Sequence, residues 1–240
     1  MPNYVIPVST NFDENALIRA ADNGVPIYSQ HDSNWATYLY NKMPNPLNQN
    51  PTPLPEDQKP QKSCDDNPKP PTISTSGCGV VAMTMAINFW AKKQKCEATT
   101  PQAVADFFMK HGGRVCGSGS AYSYIDKEKF KNTFGIVLVL VTTDAPLMTS
   151  LQKNYPCIIS GKNYTGLNYK GDVLTNKYTG GHFVCLTNID NQNRIRVNDS
   201  GNSPTGGQAI TAFQARKLPS QATTVNQRCI LYPVGVPSPI

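Results

Sequence analysis

The sequence predicts an α+β fold, because the segments with helical patterns come first and the segments with strand patterns come second. The clearest helix lies in TSGCGVVAMTMAINFW (Thr75–Trp90). It is apolar nearly all round apart from a narrow stripe at Thr84, Asn88 and Lys92, as expected of a buried helix. After Pro156 the chain turns to short apolar runs separated by turn-forming residues, which are typical of strands.

The chain is expected to be one domain with an arm and an insertion. Residues 1–24 are predicted to form an N-terminal arm, and residues 25–240 a single domain. Prolines crowd residues 43–73, which excludes a helix or a central strand there. This stretch is therefore predicted to be a long extended insertion.

The remaining elements follow from local signals. Thr100-Pro101 offers a helix N-cap and a first-turn proline, and Gly112-Gly113 ends that helix. Asp190-Asn191-Gln192-Asn193 is the expected turn of a hairpin, and residues 161–180 are expected to form a loop. Other helices are predicted at Asp13–Ala21, Gly79–Lys93, Lys127–Phe134 and Pro146–Asn154, the last capped by Asp144. Strands are predicted at Ile136–Thr142, Cys157–Ser160, His182–Ile189, Arg194–Asp199 and Gln227–Tyr232, and Val25–Tyr28 is expected to be a short extended segment.

Charge and hydropathy exclude several classes of function. The 22 basic residues outnumber the 16 acidic ones, giving a net charge of +6. Because the basic residues are scattered, this indicates mild attraction to anionic surfaces and no nucleic-acid partner. No run approaches the ~18 apolar residues of a membrane span, and the start, MPNYVIPVST, lacks a signal-peptide pattern. The chain is expected to be cytoplasmic, exported by another route, carried on a particle, or a mature fragment with an added methionine.

The seven cysteines are an odd number and form no C-x-x-C pair, which argues against a zinc ribbon or a thioredoxin-type motif. One reactive thiol with up to three disulfides would suit an oxidising compartment. Cys64 and Cys116 lie in polar surroundings and are the better disulfide candidates, whereas Cys157 and Cys185 lie in apolar strands, as expected of buried free thiols. Histidines and carboxylates do not cluster, so no metal or other cofactor is expected.

Cys78 is the predicted nucleophile. It stands between Gly77 and Gly79 at the start of the central helix, where unpaired backbone N–H groups and the helix dipole favour a negative charge. That setting lowers the pKa of a thiol and makes thiolate available near neutral pH. The alternative is a thiol that only packs in the core.

A base for Cys78 must be one of three histidines. His111 ends a helix before two glycines, where capping or exposure to solvent is expected. His31 follows the first extended segment and has no assigned role. His182 follows Gly180-Gly181 and begins an apolar strand, which is a rigid place to hold an imidazole. The alternative for His182 is a strand-end residue packed on the sheet.

The imidazole needs a third group to set its tautomer and to stabilise its charged form. On the predicted return strand Ile195, Val197 and Asp199 share one face, and the apolar pair marks that face as the core side. Asp199 is therefore expected to project toward His182. A two-residue turn keeps these two on the same side, whereas a three-residue turn would favour Asn198.

The order Gln30, Cys78, His182, Asp199 resembles that of papain-like cysteine peptidases. The local sequences resemble one branch, the family similar to bacteriocin-processing (double-glycine leader) peptidases, which is found widely in bacteria and phages. The resemblance spans roughly residues 26–200. It is carried by QHDSNWA, SGCGVVAMTMAINFW, TPQAVADFF, GSGSAYSYI, GGHFVCLTNI and RVNDSGN.

The resemblance implies a papain-like fold, in which a central buried helix carries the nucleophile and packs on an antiparallel sheet. It implies that Cys78 is the nucleophile, that His182 is the general base and then acid, and that Asp199 orients the imidazole. Gln30 would donate its side-chain amide to the oxyanion, together with the backbone N–H of Cys78. Each such donor lowers the barrier by ~3–4 kcal/mol.

Two features depart from the family. The proline-rich segment 43–73 separates Gln30 from Cys78 and could form one wall of the cleft, and Ser200 stands where the family usually has proline after the aspartate.

Three functions remain open. The first is hydrolysis of peptide or amide bonds in peptidoglycan or in a specific protein, at the cell envelope or on a phage particle. The second is acyl transfer or deamidation by an effector or toxin. The third is a binding module without catalysis.

Overall fold

A computed structural model of the protein describes residues 24–41, 70–115, 119–168, 170–201, 209–213 and 224–239. Helices come first in these ranges and most strands follow. The α-helices are α1 (Ile73–Ser76), α2 (Cys78–Gln94), α3 (Pro101–His111), α4 (Lys127–Phe134) and α5 (Asp144–Gln152), with a 3-10 turn at Tyr122–Tyr124. The strands are β1 (Arg114–Val115), β2 (Gly119–Ser120), β3 (Ile136–Leu140), β4 (Cys157–Lys162), β5 (Tyr164–Leu167), β6 (Val173–Lys177), β7 (His182–Ile189), β8 (Ile195–Asp199), β9 (Ala212–Phe213) and β10 (Thr224–Pro233).

Helix α2 runs through the core, and its buried polar residues have hydrogen-bond partners. Residues 79–91 are all buried. The Thr84 hydroxyl donates to the backbone carbonyl one turn earlier at 2.9 Å. The Asn88 amide donates to the Tyr28 hydroxyl at 3.0 Å and exchanges two hydrogen bonds with the backbone of Thr99. Because these polar groups are paired, a helix that is otherwise apolar all round can be enclosed by the protein.

Helices α3 and α4 both begin at a side-chain cap. The Thr100 hydroxyl accepts the N–H of Ala103 at 3.2 Å at the start of α3, and the Asp126 carboxylate accepts the N–H of Lys129 at 3.0 Å at the start of α4. Gly135 ends α4 in the left-handed conformation at a φ of 67°. Both helices carry phenylalanines into the same core as α2.

The strands of the second half form an antiparallel sheet in the order β3-β10-β4-β7-β8-β9-β5-β6, with β1 and β2 forming a separate pair. The central strands β4 and β7 pair in register, with Ile158 opposite Cys185 and Cys157 opposite Leu186. Alternate residues along these strands enter two different hydrophobic cores. One core contains Ile158 and Cys185 together with α2, α3 and α4, and the other contains Cys157 and Leu186 together with α5.

This arrangement confirms the expected α+β fold, in which a buried helix packs on an antiparallel sheet. Helix α2 lies against β7, and its first residue is Cys78. The start of the central helix therefore lies beside the strand that begins with His182.

The expectation of a loop over residues 161–180 is wrong. Strand β4 continues to Lys162, and β5 and β6 form a hairpin that closes the far edge of the described sheet. Strand β6 is mostly exposed and polar, with Val173 itself 54% exposed, so it lacks the apolar alternation that marks a strand in sequence. Pairing with β5 sets its conformation.

Two smaller expectations also differ from the structure. The run that starts at Ile136 is predicted to be a buried strand, but β3 lies at an edge of the described sheet and only Ile136 and Leu138 are buried. Asp144 does not cap α5, because the helix already begins at Asp144 and the preceding Thr143 is the N-cap residue. The Asp144 carboxylate instead accepts the Arg228 Nε–H at 2.6 Å.

Several expectations lie outside the described residues. These are the N-terminal arm apart from Gly24, the helix at Asp13–Ala21, most of the insertion 43–73, and the disulfide candidates Cys64 and Cys116. The described end of the insertion forms a β-bridge between Thr72 and Leu39 and leads directly into α1.

The described cysteines are free thiols, namely Cys78, Cys96, Cys157, Cys185 and Cys229. These five free thiols leave no room for two or three disulfides, and the expected buried free thiols at Cys157 and Cys185 are confirmed. A disulfide that uses Cys64 and Cys116, which lie outside the described residues, stays a prediction. Burial raises the pKa of Cys157, Cys185 and Cys229, so these thiols are held in the neutral form. Within the described ranges, none of the helices combines the length and apolar character that crossing a bilayer requires.

Candidate functional site

Close packing around Cys78 explains why glycine stands on both sides of it. A Cβ at Gly77 would lie 2.6 Å from the carbonyl oxygen of Ile73 in α1. A Cβ at Gly79 would lie 2.6 Å from the Cβ of Ser120 in β2. Because neither position has room for a side chain, the two glycines let α1, α2 and β2 meet around Cys78.

The surroundings of Cys78 favour its thiolate. The His182 imidazole and the backbone N–H groups of Phe183 and Gly79 all favour the charged form of the sulfur. Burial opposes ionisation and is the largest single influence on this thiol. The bond and charge of His182, with the two N–H groups, outweigh burial and lower the pKa of Cys78 below its usual value.

His182 is the residue that joins Cys78 to a carboxylate. Its Nε2 lies 2.8 Å from Asp199 Oδ1, and both side chains are almost completely buried. Since an ionised carboxylate can only accept, Nε2 carries the proton of this bond and Nδ1 is left for Cys78. Burial favours the neutral imidazole most strongly, but Asp199 and Cys78 outweigh it and raise the pKa of His182 to about 9.

The Asp199 carboxylate receives four hydrogen bonds. Oδ1 accepts from His182 Nε2 at 2.8 Å and from the Gly201 N–H at 2.9 Å. Oδ2 accepts from the Tyr178 hydroxyl at 2.8 Å and from the Ile210 N–H at 3.0 Å. Burial alone would raise the pKa of Asp199, but these donors and the charge of His182 lower it. The carboxylate is therefore held ionised and in one orientation.

The register of β7 and β8 decides between Asp199 and Asn198. Val184 pairs with Asp199, and a bulge between Leu186 and Ile189 accommodates the hairpin, so Asp199 and His182 share one face of the sheet. Asn198 points to the other face and donates to the backbone carbonyls of Val25 and Pro26 at 3.3 and 3.0 Å. Asp199 contacts the imidazole and Asn198 holds the incoming N-terminal segment.

Gln30 links the two halves of the site. Its backbone N–H donates to the Ser200 carbonyl at 2.8 Å, beside Asp199. Its side-chain Nε2 donates to the Ser74 carbonyl in α1 at 2.7 Å. Because an amide nitrogen carries two protons, this bond leaves a second N–H for another acceptor.

The other two histidines, His31 and His111, have partners other than Cys78. The His31 ring is hydrogen-bonded through Nδ1 to the Ser74 hydroxyl at 2.9 Å. Burial and then the charge of His182 lower the pKa of His31, against the opposing charge of Asp199. His31 therefore lies at the border of the site. His111 lies at the end of α3, where its ring packs on Phe107 at a centroid distance of 4.9 Å.

Tyr178 is the site residue that the sequence did not reveal. Its ring stacks on the His182 imidazole with centroids 3.8 Å apart, and its hydroxyl donates to Asp199. It follows β6 in the stretch expected to be a loop. The available signal was an aromatic residue four positions before His182, which alone does not predict a contact.

The described residues contain no group of three or more His, Cys, Asp or Glu side chains that could hold a metal ion. The site instead joins a thiolate, a protonated imidazole and a fixed carboxylate. A thiolate can attack a carbonyl carbon, and the imidazolium can protonate the group that leaves.

Comparisons with known proteins identify the family of this chain. Residues 45–220 match the Peptidase_C39 like family. A crystal structure of a candidate C39-like peptidase from Bacillus anthracis is similar over 65% of this chain and 88% of that chain, with 13% identity and a TM-score of 0.37. A comparison with curated proteins found no match. Gln30 precedes the matched range, so its role depends on its contacts alone.

Proposed function

Because this chain belongs to the Peptidase_C39 like family and is therefore a cysteine peptidase, we propose that it cleaves peptide bonds with Cys78 as the nucleophile. His182 serves as general acid and base, and Asp199 orients it. Gln30 donates to the oxyanion. The observation that carries this proposal is the placement of His182 between two groups: its Nε2 lies 2.8 Å from Asp199 Oδ1, and its imidazole lowers the pKa of the Cys78 thiol.

In the first half of the reaction the Cys78 thiolate attacks the carbonyl carbon, forming a C–S bond and moving an electron pair to the carbonyl oxygen. The oxyanion accepts hydrogen bonds from the second N–H of Gln30 Nε2 and from the Cys78 backbone N–H. When the tetrahedral intermediate collapses, the C–N bond breaks and the His182 imidazolium gives its proton to the leaving amine. An acyl-enzyme on Cys78 remains.

In the second half the neutral imidazole of His182 takes a proton from water, and the hydroxide attacks the thioester carbonyl. Collapse breaks the C–S bond, releases the carboxylic acid and restores the thiolate beside the imidazolium. Asp199 keeps its charge throughout, because its four donors hold it ionised.

For the substrate we favour the stem or cross-bridge peptides of peptidoglycan over a soluble protein. The support is the net charge of +6, which attracts the protein to anionic cell walls, and a composition that is polar rather than charged. Action at the cell envelope, by export or on a phage particle, follows from this choice. Residues 25–240 would act as one peptidase domain, with the insertion 43–73 as one wall of its cleft.

The test compares the wild type with Cys78→Ala on purified peptidoglycan and on casein. We expect the wild type to release peptides with new amino termini from peptidoglycan, with casein cleaved far more slowly. Cys78→Ala should lose at least about 10⁴-fold of the activity. Equal activity of the two proteins would refute the mechanism, and preference for casein would refute the substrate.

A labelling experiment checks the nucleophile without a substrate. Native protein is treated briefly with iodoacetamide at pH ~6, where an ordinary thiol is protonated, and the modified peptides are identified by mass spectrometry. We expect Cys78 to react well ahead of the exposed Cys96, which serves as the internal control. Faster labelling of Cys96 than of Cys78 would contradict thiolate formation at Cys78.

A further inference from the structure

Tyr178 adopts a backbone conformation that its residue type disfavours. It lies between β6 and β7 with a φ of 62°, and it is the one aromatic residue among the described non-glycine residues with positive φ. Bulky side chains rarely adopt this region, so the conformation is strained. Its carbonyl accepts the N–H groups of Asn163 and Gly181 at 3.1 and 3.4 Å, so the surrounding loop holds this conformation.

The strained backbone directs the tyrosine onto His182 and Asp199 at once. The ring lies nearly parallel to the imidazole, with an interplanar angle of 22° and centroids 3.8 Å apart. The hydroxyl donates to Asp199 Oδ2, the carboxylate oxygen that His182 does not use. One side chain thus contacts both partners of the imidazole–carboxylate pair.

We propose that Tyr178 is a positioning residue that holds the His182–Asp199 pair in its reactive geometry, its ring covering the imidazole and its hydroxyl preventing rotation of the carboxylate. This inference rests on the proposed roles of His182 and Asp199. Its contacts at the site are with the imidazole and the carboxylate, so it acts through the pair.

The carboxylate needs such a partner because one of its oxygens is otherwise weakly held. Without the tyrosine hydroxyl, Oδ2 would keep only the Ile210 N–H, and the group could turn away from His182. The ring also excludes water from the imidazole face, which strengthens the bond between His182 and Asp199 because water would compete for it.

Gly201 completes the arrangement. Its N–H donates to Asp199 Oδ1, so its backbone must lie close to the pair. A Cβ at this position would lie 2.7 Å from the Tyr178 hydroxyl and 2.8 Å from His182 Cε1. A methyl group there would therefore separate the tyrosine from the imidazole. A substitution at Gly201 thus disturbs the contact between Tyr178 and His182 without changing either residue.

The pH dependence of the site reports this geometry. The titratable groups that face His182 are Cys78 on α2, Asp199 on β8, Tyr178 before β7 and His31 at the border of the site. The hydroxyl of Tyr164 on β5 also lies beside His182, because it donates to the backbone carbonyl of His182 at 3.0 Å. Of these groups, Tyr178 stacks on the imidazole and also donates to the carboxylate.

The test is Tyr178→Phe, which keeps the stacked ring and removes the hydroxyl. Its matched control is Tyr38→Phe, because Tyr38 makes the same kind of bond, to Asp106 at 2.7 Å, away from the site. The rate of Cys78 alkylation by iodoacetamide is followed from pH ~4 to ~10. A freer carboxylate supports the imidazolium less, so we expect the apparent pKa of Cys78 to rise by about half to one unit in Tyr178→Phe.

Activity should change in the same variant. We expect kcat/KM to fall about tenfold, the size of a lost hydrogen bond to a charged group, with KM unchanged and the alkaline limb of the profile moved to lower pH. Tyr38→Phe should match the wild type. A profile that is unchanged in Tyr178→Phe, or an alkaline limb moved upward because Asp199 has merely gained charge, would overturn the inference.

Gly201→Ala is a second variant that disturbs the contact between Tyr178 and His182. We expect the acidic limb of its pH–activity profile to move to higher pH and the alkaline limb to lower pH, as in Tyr178→Phe. A wild-type profile in Gly201→Ala would also count against the positioning role of Tyr178. Failure of the inference is distinguishable from failure of the proposed function. If Cys78→Ala retains hydrolysis, the proposed function fails, whereas a thiol-dependent enzyme with an unaltered Tyr178→Phe profile rejects only the role of Tyr178.

Discussion

The sheet side and the helix side of the site differ in how completely their polar groups are paired. On the sheet side, His182 and Asp199 are buried and the carboxylate has all four acceptor positions filled. On the helix side, Cys78 is only half-buried. The side-chain oxygen of Gln30, Oε1, is buried and has no hydrogen-bond partner in the described part of the chain. The sheet side is closed and the helix side is open.

This difference matches the proposed division of work. An acid–base pair must keep its geometry while protons move, so every contact that fixes it before the reaction lowers the barrier. A nucleophile and an oxyanion donor must instead leave room for a substrate. The half-buried Cys78 and the second N–H of Gln30 Nε2 are therefore where a substrate's carbonyl group would find partners.

The largest expected effect comes from breaking the sheet side at His182→Ala. Without the imidazole the Cys78 thiolate loses its stabilising charge and the leaving amine loses its proton donor. We expect kcat/KM to fall at least about 10⁴-fold, measured on the substrate that the wild type cleaves.

The control for this change is His111→Ala, which removes a histidine that packs on Phe107 at the far end of α3. Its activity should stay within about twofold of the wild type. If His182→Ala kept a tenth of the activity, or if His111→Ala lost as much as His182→Ala, the sheet side would not contain the catalytic base.

An intermediate effect is expected on the helix side at Gln30→Ala. Removing one oxyanion donor costs about 10²–10³ in kcat and leaves KM nearly unchanged, because the donor acts mainly in the transition state. The matched control is Gln102→Ala. Gln102 also donates its amide to a backbone carbonyl, that of Asn34 at 2.8 Å, and also has a buried oxygen without a partner, but it lies on α3. Equal losses in the two variants would indicate a structural role for Gln30 instead.

The parts of the site that the sequence predicts are those with local signals. The apolar run after Cys78 predicts a buried helix, and the glycines before His182 mark the start of a strand. The alternation Ile195, Val197, Asp199 marks the core face of the return strand, and the structure brings Asp199 to His182 as that alternation predicts. Each of these inferences needs only a few neighbouring residues.

The parts that it misses depend on pairing between distant residues. Tyr178 reaches the site because β6 pairs with β5, although the exposed and polar sequence of β6 carries no strand signal. Asp144 is a sound helix cap by sequence, but the helix begins at Asp144 itself, and its carboxylate accepts from Arg228, 84 positions away. Composition and periodicity contain no information about such contacts, so neither the role of Tyr178 nor the ion pair of Asp144 with Arg228 could be predicted from the sequence.

The smallest expected effect is on the free energy of unfolding of Cys78→Ala, which reports on the His182–Asp199 pair alone. In the wild type, the pKa of Cys78 is lowered and that of His182 is raised, so their effects on stability have opposite signs at alkaline pH. Cys78→Ala removes the thiol and leaves His182 with Asp199. The pKa of His182 is about 9 in the intact protein against an ordinary value of 6.5, and the variant should lie between these values.

A folded-state pKa above the unfolded one means that the folded protein holds an extra proton in that window. The resulting stability is fully present below pH ~6.5 and is lost as the pH rises through the folded pKa. Since one pKa unit corresponds to ~1.4 kcal/mol, we expect urea unfolding of Cys78→Ala to lose about 1–2 kcal/mol between pH ~6.5 and ~9. Cys78→Ala/Asp199→Asn lacks the carboxylate charge and should show a much flatter dependence. Identical slopes for the two proteins would mean that Asp199 does not hold the imidazolium, and the closed character of the sheet side would then need another cause.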